Sequence, residues 1–284
     1  GRDGYRFYAH DMNASASRLL AMERDLRDAL ARGQFVLHYQ PQIALADDSL
    51  VGAEVLVRWQ HPRQGLVLPG EFIGLCEELG LIGALSNLVM TGALTELRGW
   101  QRRGLPTRLA INISPAQFRA PGLELTVERI LKDTGVDPSL VEIELTETSV
   151  IDHTETALES LRRLVALGVT LSLDDFGTGY SSLSYVRRLP VSKLKIDQSF
   201  IHNLTTSPSD RSIVEGIIQL CHKLRLRVIA EGVETAEQMA ILREMGCDAV
   251  QGQFFSPALP AATFEAKFLD RSPPPAVVVM PQRR

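Results

Sequence analysis

Short runs rich in Val, Ile and Leu begin near Phe35, Leu50, Arg108, Val141, Thr170, Lys193, Arg227 and Ala249, and helical periodicity separates most of them. Apolar strands alternating with helices point to a parallel sheet, and eight repeats of that unit predict an α/β fold closed into a (β/α)8 TIM-like barrel. A doubly wound open sheet is the alternative. The two differ in where polar groups collect: a barrel gathers them at the carboxyl ends of many strands, an open sheet at one switch point. Seven of these runs close on a polar residue, namely Glu54, Asn112, Glu144, Asp174, Lys195, Glu231 and Gln251, which favours the barrel.

The segments between the strands carry their own signals. Thr154 to Leu167 places Ala157, Leu158, Leu161, Leu164 and Val165 on one face and stops at Gly168. A second helix is predicted to turn Ile213, Ile217, Leu220 and Leu224 to the core. Ser17 to Arg32 reads as an amphipathic helix entering the barrel, with Leu19, Met22, Leu26 and Leu30 in a stripe and Gly33 at its end. Pro260 to Phe268 predicts the last helix, and Arg271-Ser272-Pro273-Pro274-Pro275 predicts the end of the ordered fold and a flexible tail.

A chain of 284 residues with 45% hydrophobic and 23% charged residues can bury one large core. Its net charge of -4 argues against a nucleic-acid polymer as partner and against a polybasic membrane anchor, so an anionic ligand has to be met by a local site. Cys76, Cys221 and Cys247 are widely spaced without a CxxC pair, which indicates neither a disulfide framework nor a zinc cluster and predicts the cytoplasm. No apolar run reaches membrane-spanning length; a membrane anchor of a longer parent would lie in segments outside this sequence.

In Leu171-Ser172-Leu173-Asp174-Asp175-Phe176-Gly177-Thr178-Gly179-Tyr180, two adjacent carboxylates follow a strand and precede a glycine-rich loop. Such neighbours repel, and burying them is costly unless a cation compensates. Taken alone, the run reads better as an Asx-type turn capping the next helix. The other acids at strand ends shift the reading to a metal site. Their oxygen-rich chemistry suits Mg2+ or Mn2+ rather than zinc, and the six histidines lie outside these segments.

With those residues in hand, the chain closely resembles the EAL-domain family of cyclic-di-GMP phosphodiesterases over roughly Leu26 to Leu269. The resemblance is carried by Tyr39-Gln40-Pro41, Glu54-Val55-Leu56-Val57-Arg58-Trp59, Asn112-Ile113-Ser114, Glu144-Leu145-Thr146-Glu147, Asp174 to Gly179, Lys195-Ile196-Asp197, Ala230-Glu231-Gly232-Val233-Glu234 and Gln251-Gly252. Val55 stands where the family name has Ala, which leaves Glu54 intact; Gln198, Gln253 and Leu79 also differ from the usual residues and bear on substrate affinity.

The resemblance implies a barrel whose first strand is antiparallel to the rest, and two Mg2+ or Mn2+ ions per site with Ca2+ inhibitory. Glu54, Asn112, Glu144 and Asp174 would hold one metal and Asp174, Asp175 and Glu231 the second. Lys195, Glu231 and Glu54 are the implied catalytic residues, and Gln40, Leu56, Arg58, Asp197 and Gln251 the substrate contacts. Glu147 and Glu234 would steady the loop from Phe176 to Ser182, which the family couples to homodimer contacts. Blander roles stay open: Lys195 as a charge balancer, Arg58 as a solvated surface residue, Gln40 and Gln251 as caps of backbone groups.

The segment Gly1 to Tyr8 resembles the closing strand of a GGDEF, diguanylate-cyclase-like domain. The implied organisation is a remnant or linker of upstream GGDEF and sensory domains over 1–16, the EAL domain over 17–270 and a tail over 271–284. The implied function is hydrolysis of cyclic-di-GMP to linear pGpG, which lowers a bacterial second messenger that governs attached and motile growth. The competing classes are a catalytically silent cyclic-di-GMP receptor and a dimerisation scaffold. Silent receptors lack metal ligands or the lysine, and none of the compared positions is lost here.

Overall fold

The structure, a computed structural model, describes residues 22–147, 155–177 and 186–270. The strands are β1 (Phe35–Ala44), β2 (Leu50–His61), β3 (Gly65–Val67), β4 (Leu109–Ile113), β5 (Val141–Thr146), β6 (Thr170–Phe176), β7 (Lys193–Ile196), β8 (Arg227–Ala230), β9 (Ala249–Val250) and β10 (Leu259–Pro260). They form one sheet in the order β10-β1-β9-β8-β7-β6-β5-β4-β2-β3, and a further β1–β2 pairing closes eight of them into a barrel. From β2 through β4 to β9 the barrel strands run parallel. β1 is antiparallel to both of its barrel neighbours, β2 and β9. The cause is local: only Leu45 to Ser49 join β1 to β2, and a parallel crossover needs about a dozen residues or more.

The barrel strands start where the apolar runs start, to within one residue at Leu109. β3 and β10 were not legible, because two or three residues carry no alternation to read. The predicted helices form, with three corrections. Helix Pro208–Lys223 buries Val214, Ile217, Ile218 and Cys221 while Ile213 is 41% exposed, so its core stripe lies one position beyond the expected one. In helix Glu155–Ala166, Leu158, Leu161 and Leu164 are buried but Val165 faces outward. The last helix is a single turn, Ala261–Phe264, followed by a π-helical turn, Glu265–Leu269. The entering helix is seen over residues 22–32; its predicted start, the segment 1–16 and the tail 271–284 lie outside the described residues. Among the described residues no helix is long and apolar enough to cross a membrane.

Two glycines carry the close approaches that shape the carboxyl mouth. Val233 folds back over the end of β9, its N–H donating to the Gln251 carbonyl (3.1 Å) and its own carbonyl accepting from Phe254 (3.0 Å). A Cβ on Gly252 would stand 2.1 Å from the Val233 oxygen, which is backbone and cannot step aside. At Gly232 the backbone is left-handed (φ +69°) and a Cβ would meet Cβ of Gln198 at 2.5 Å. Gly252→Ala is therefore expected to cost roughly 3 kcal/mol, at the upper end for overpacking. Urea unfolding measures it, and an unchanged midpoint would refute the packing described.

Candidate active site

Register decides which side chains share the mouth. On neighbouring strands Gln40 faces Glu54, and Asn112 lies beside Glu144. Period-two alternation then carries Glu54, Glu144, Asp174 and Lys195 to the barrel interior near its carboxyl end. Lys195, fully buried on the short β7, is the hub. Its Nζ lies 2.7 Å from Glu144 Oε2, 2.6 Å from Glu231 Oε1, 3.2 Å from Asp174 Oδ2 and 3.3 Å from Glu54 Oε2. Asn112 Nδ2 donates to the other Glu54 oxygen at 2.6 Å.

One ammonium does not balance these acids. Burial pushes Glu144 well above the ordinary carboxylate range, and the neighbouring acids outlast the pull of Lys195. Burial likewise raises Asp174, and lifts Glu231 to about 8 and Asp175 to about 6. Glu54 alone goes down: burial pushes it up, but Lys195 and the hydrogen bonds from Gln251 and Asn112 prevail. For Lys195 burial works against the charge, yet Glu144, Glu231, Glu54 and Asp174 hold it well above the usual lysine value. It is a fixed cation.

The residues fit a divalent cation. Oxygen atoms of Asp174, Asp175 and Glu231 lie within 4.8 Å of one another, and Glu144 Oε1 is buried with no hydrogen-bond partner. All are hard oxygen donors, the set that Mg2+ and Mn2+ prefer. Asp174 and Asp175 reach one site only because the strand breaks its rule. Successive side chains of a regular strand point to opposite faces. Here the β6–β7 register shifts between Leu173 and Phe176, and Asp175 is left-handed with φ +56°. Asp tolerates that region better than most residues, and such outliers concentrate at functional sites.

The remaining residues named from sequence fall around this centre. Gln251 Nε2 donates to Glu54 Oε2 at 2.6 Å and to Gln40 Oε1 at 3.0 Å. Arg58 is partly buried two pleats above Glu54 on the same face, with Nη1 donating to its neighbour's carbonyl, Val57, at 3.0 Å. Leu56, with Asn112 and Thr146, lines a cavity of about 340 Å³ between the barrel and its first helices. Asp197 caps helix Gln198–His202 by accepting from the Ser199 N–H (3.0 Å). Glu147, 2% exposed, accepts from the Gly177 N–H at 3.0 Å, at the root of the loop whose residues 178–182 lie outside the described set. The Glu234 carboxylate faces His202 at 3.9 Å.

Two residues of this face were missed. His38 and Gln42 flank Gln40 at spacings of two, His38 holding the Ala258 carbonyl (3.3 Å) and Gln42 holding Gln251 Oε1 (3.1 Å). The alternation that exposes Gln40 to the interior was signal enough to include them.

A barrel with this acidic, lysine-centred carboxyl mouth defines a class of (β/α)8 proteins with an oxygen-donor site. The chain matches the model of the EAL domain over residues 23–258 and belongs to that family. It is 42% identical over 262 residues to the bifunctional diguanylate cyclase/cyclic di-GMP phosphodiesterase MucR of Pseudomonas aeruginosa, covering 92% of this chain and 38% of that protein. It is 43% identical over 279 residues to the cyclic di-GMP phosphodiesterase NbdA of the same organism, covering 96% and 36%. The chain thus spans under two fifths of the length of these relatives. Its structure is similar to the PaMucR phosphodiesterase in complex with c-di-GMP, with TM-score 0.83 and 41% identity over 87% of this chain and 99% of that one. It is also similar to the FimX EAL domain from Pseudomonas aeruginosa bound to c-di-GMP, with TM-score 0.77 and 26% identity over 85% and 96%.

Lys195→Met would strand the buried acids without a counter-charge, and breaking such a pair costs roughly 3–5 kcal/mol. The sign with pH follows from the raised carboxyls. Glu231, with a folded value of about 8, stabilises the fold below its unfolded value near 4.5 and loses that contribution as pH rises through 8. The melting temperature of metal-free Lys195→Met is therefore expected to fall below the parent's by more at pH 8 than at pH 5. A gap that is the same at both values would overturn the hub.

Proposed function

We propose that this chain hydrolyses cyclic-di-GMP to linear pGpG with two Mg2+ or Mn2+ ions. The observation that carries the reading is the convergence of Glu54, Glu144, Asp174 and Glu231 on one buried lysine, with Asp175 and Asn112 beside them. The similarity to proteins named as cyclic di-GMP phosphodiesterases, and to structures holding that nucleotide, supports the substrate. Glu54, Asn112, Glu144 and Asp174 would hold one ion and Asp174, Asp175 and Glu231 the other. When bound, the ions supply an activated water and neutralise charge developing on the phosphate.

The chain's own residues do the positioning. Lys195 holds its proton and acts as a cation that fixes four carboxylates at ligand spacing, which is the electrostatic role of a preorganised site. It is not assigned proton abstraction. Arg58 has donors beyond the one spent on Val57, and its planar fork suits a phosphate oxygen pair. Leu56 and the cavity beside it offer apolar surface to a base. Glu147, by holding Gly177, sets the root of the loop that follows Asp175, and control of that loop through a homodimer belongs to the same proposal. So do inhibition by Ca2+, a cytoplasmic setting, which rests on three free buried cysteines, and the assignment of residues 1–16 to an upstream domain.

Incubation of the purified chain with cyclic-di-GMP and Mn2+, followed by chromatography, is expected to yield linear dinucleotide, reduced at least about 100-fold in Glu54→Ala and in Lys195→Ala. Tight binding of intact nucleotide with no product would move the reading to a receptor. Because Glu231 and Asp175 sit near 8 and 6, metal binding has to expel protons. Mn2+ affinity is therefore expected to rise from pH 6 to pH 8, with proton release visible by calorimetry in buffers of unlike ionisation enthalpy. Affinity without pH dependence would remove these two carboxylates from the ligand set.

A further inference from the structure

Three glutamines from the closure seam of the barrel form one amide relay that ends on Glu54. Gln42 Nε2 donates to Gln251 Oε1 at 3.1 Å. Gln251 Nε2 donates to Glu54 Oε2 at 2.6 Å and to Gln40 Oε1 at 3.0 Å, and Gln40 Nε2 donates to the Ser256 carbonyl at 3.3 Å. Gln42 is 1% exposed and Gln251 4% exposed.

The polarity of this relay is set from both ends of the Gln251 amide. Glu54 Oε2 accepts from Lys195 as well as from Gln251, so a nitrogen, not an oxygen, has to face it. The Gln251 carbonyl must then point the other way, to the Gln42 amide. Both hydrogens of the Gln251 nitrogen are spent inside the protein, on Glu54 and Gln40. The ladder makes room for the far end: Gly52 pairs with Gln42, and a Cβ there would stand 3.4 Å from Gln42 Oε1 and 3.2 Å from the Arg108 carbonyl.

We infer that Gln42 is a positioning residue for Glu54, acting through Gln251: by occupying the Gln251 carbonyl it locks that amide in the one orientation that presents a donor to the carboxylate. Without Gln42, the buried Gln251 oxygen loses its partner and the amide can turn over, bringing oxygen against oxygen at Glu54. The inference rests on the proposed metal site only for its consequence in catalysis; the relay itself exists without metal or nucleotide.

The test uses Gln42→Met, which keeps length and bulk, and Gln42→Glu, which keeps shape and replaces the donor by an acceptor. In the metal-free chain the side-chain NH2 of Gln251, followed by nuclear magnetic resonance, is expected to exchange with solvent roughly 10-fold faster in both variants. Mn2+ affinity is expected to fall about 10-fold, the effect typical of losing a group that orients a ligand. Turnover should drop with KM within about twofold. On a Gln251→Met background, Gln42→Met should add nothing to the loss of Mn2+ affinity. Exchange rates equal to the parent's in both variants, with melting temperatures unchanged, would overturn the relay and leave Gln42 a space-filling residue. Absence of hydrolysis in the parent would instead overturn the proposed function, since the amide signal reads the relay independently.

Discussion

The ammonium of Lys195 among four carboxylates is the interaction on which the mouth of this barrel depends. Charges this close interact strongly where water is excluded, and an unpaired buried carboxylate is expensive. The lysine therefore fixes more than its own position. It holds β2, β5 and β6 and the end of β8 at one level, because each contributes an oxygen within 3.3 Å of the same nitrogen. The balance is deliberately incomplete. With acids in excess, Glu231 rises to about 8 and Asp175 to about 6, Glu144 and Asp174 are raised with them, and a divalent cation is the partner that would bring them back down.

Two local departures from regular geometry complete the site. β6 abandons alternation at Asp175 so that two neighbouring acids serve one centre. At the seam, β1 runs against the other strands and lies between β2 and β9, so that Gln40 pairs in register with Glu54 on one side while Gln40 and Gln42 bond the Gln251 side chain on the other. A parallel first strand would present a different register to these partners. The antiparallel hairpin and the acidic centre are thereby one design problem, solved by a connection of five residues between β1 and β2.

Much of this was legible in the sequence for identifiable reasons. The barrel strands announced themselves because both their faces are buried, which yields continuous apolar runs, and Glu54, Glu144, Asp174, Lys195 and Glu231 because a charged group at the end of such a run has no cheap explanation; Gln40, Leu56, Arg58 and Asp197 came only from the family resemblance. The antiparallel first strand was legible in principle from the absence of a helix between Ala44 and Leu50, though periodicity alone did not reveal it. The stripe of helix Pro208–Lys223 was misplaced by one position because Ile213 and Val214 are equally apolar, and only the neighbouring strand selects between them. Gln42 escaped notice because it lies inside its strand, unlike Gln251, and outside the motif Tyr39-Gln40-Pro41 that singled out Gln40.

The sequence by itself determined the order of strands and helices, the carboxyl-end location of the chemistry and the hard-oxygen character of the donor set, since these follow from hydropathy pattern and residue type along the chain. Only the tertiary structure decided that Lys195 is a held cation, that a left-handed Asp175 is what brings its carboxylate beside that of Asp174, and that Gln251 is committed inward to Glu54. The physical reason is common to all three. Protonation, side-chain direction and amide orientation depend on what stands within a few ångströms, and those neighbours come from strands separated by tens to hundreds of residues in the chain.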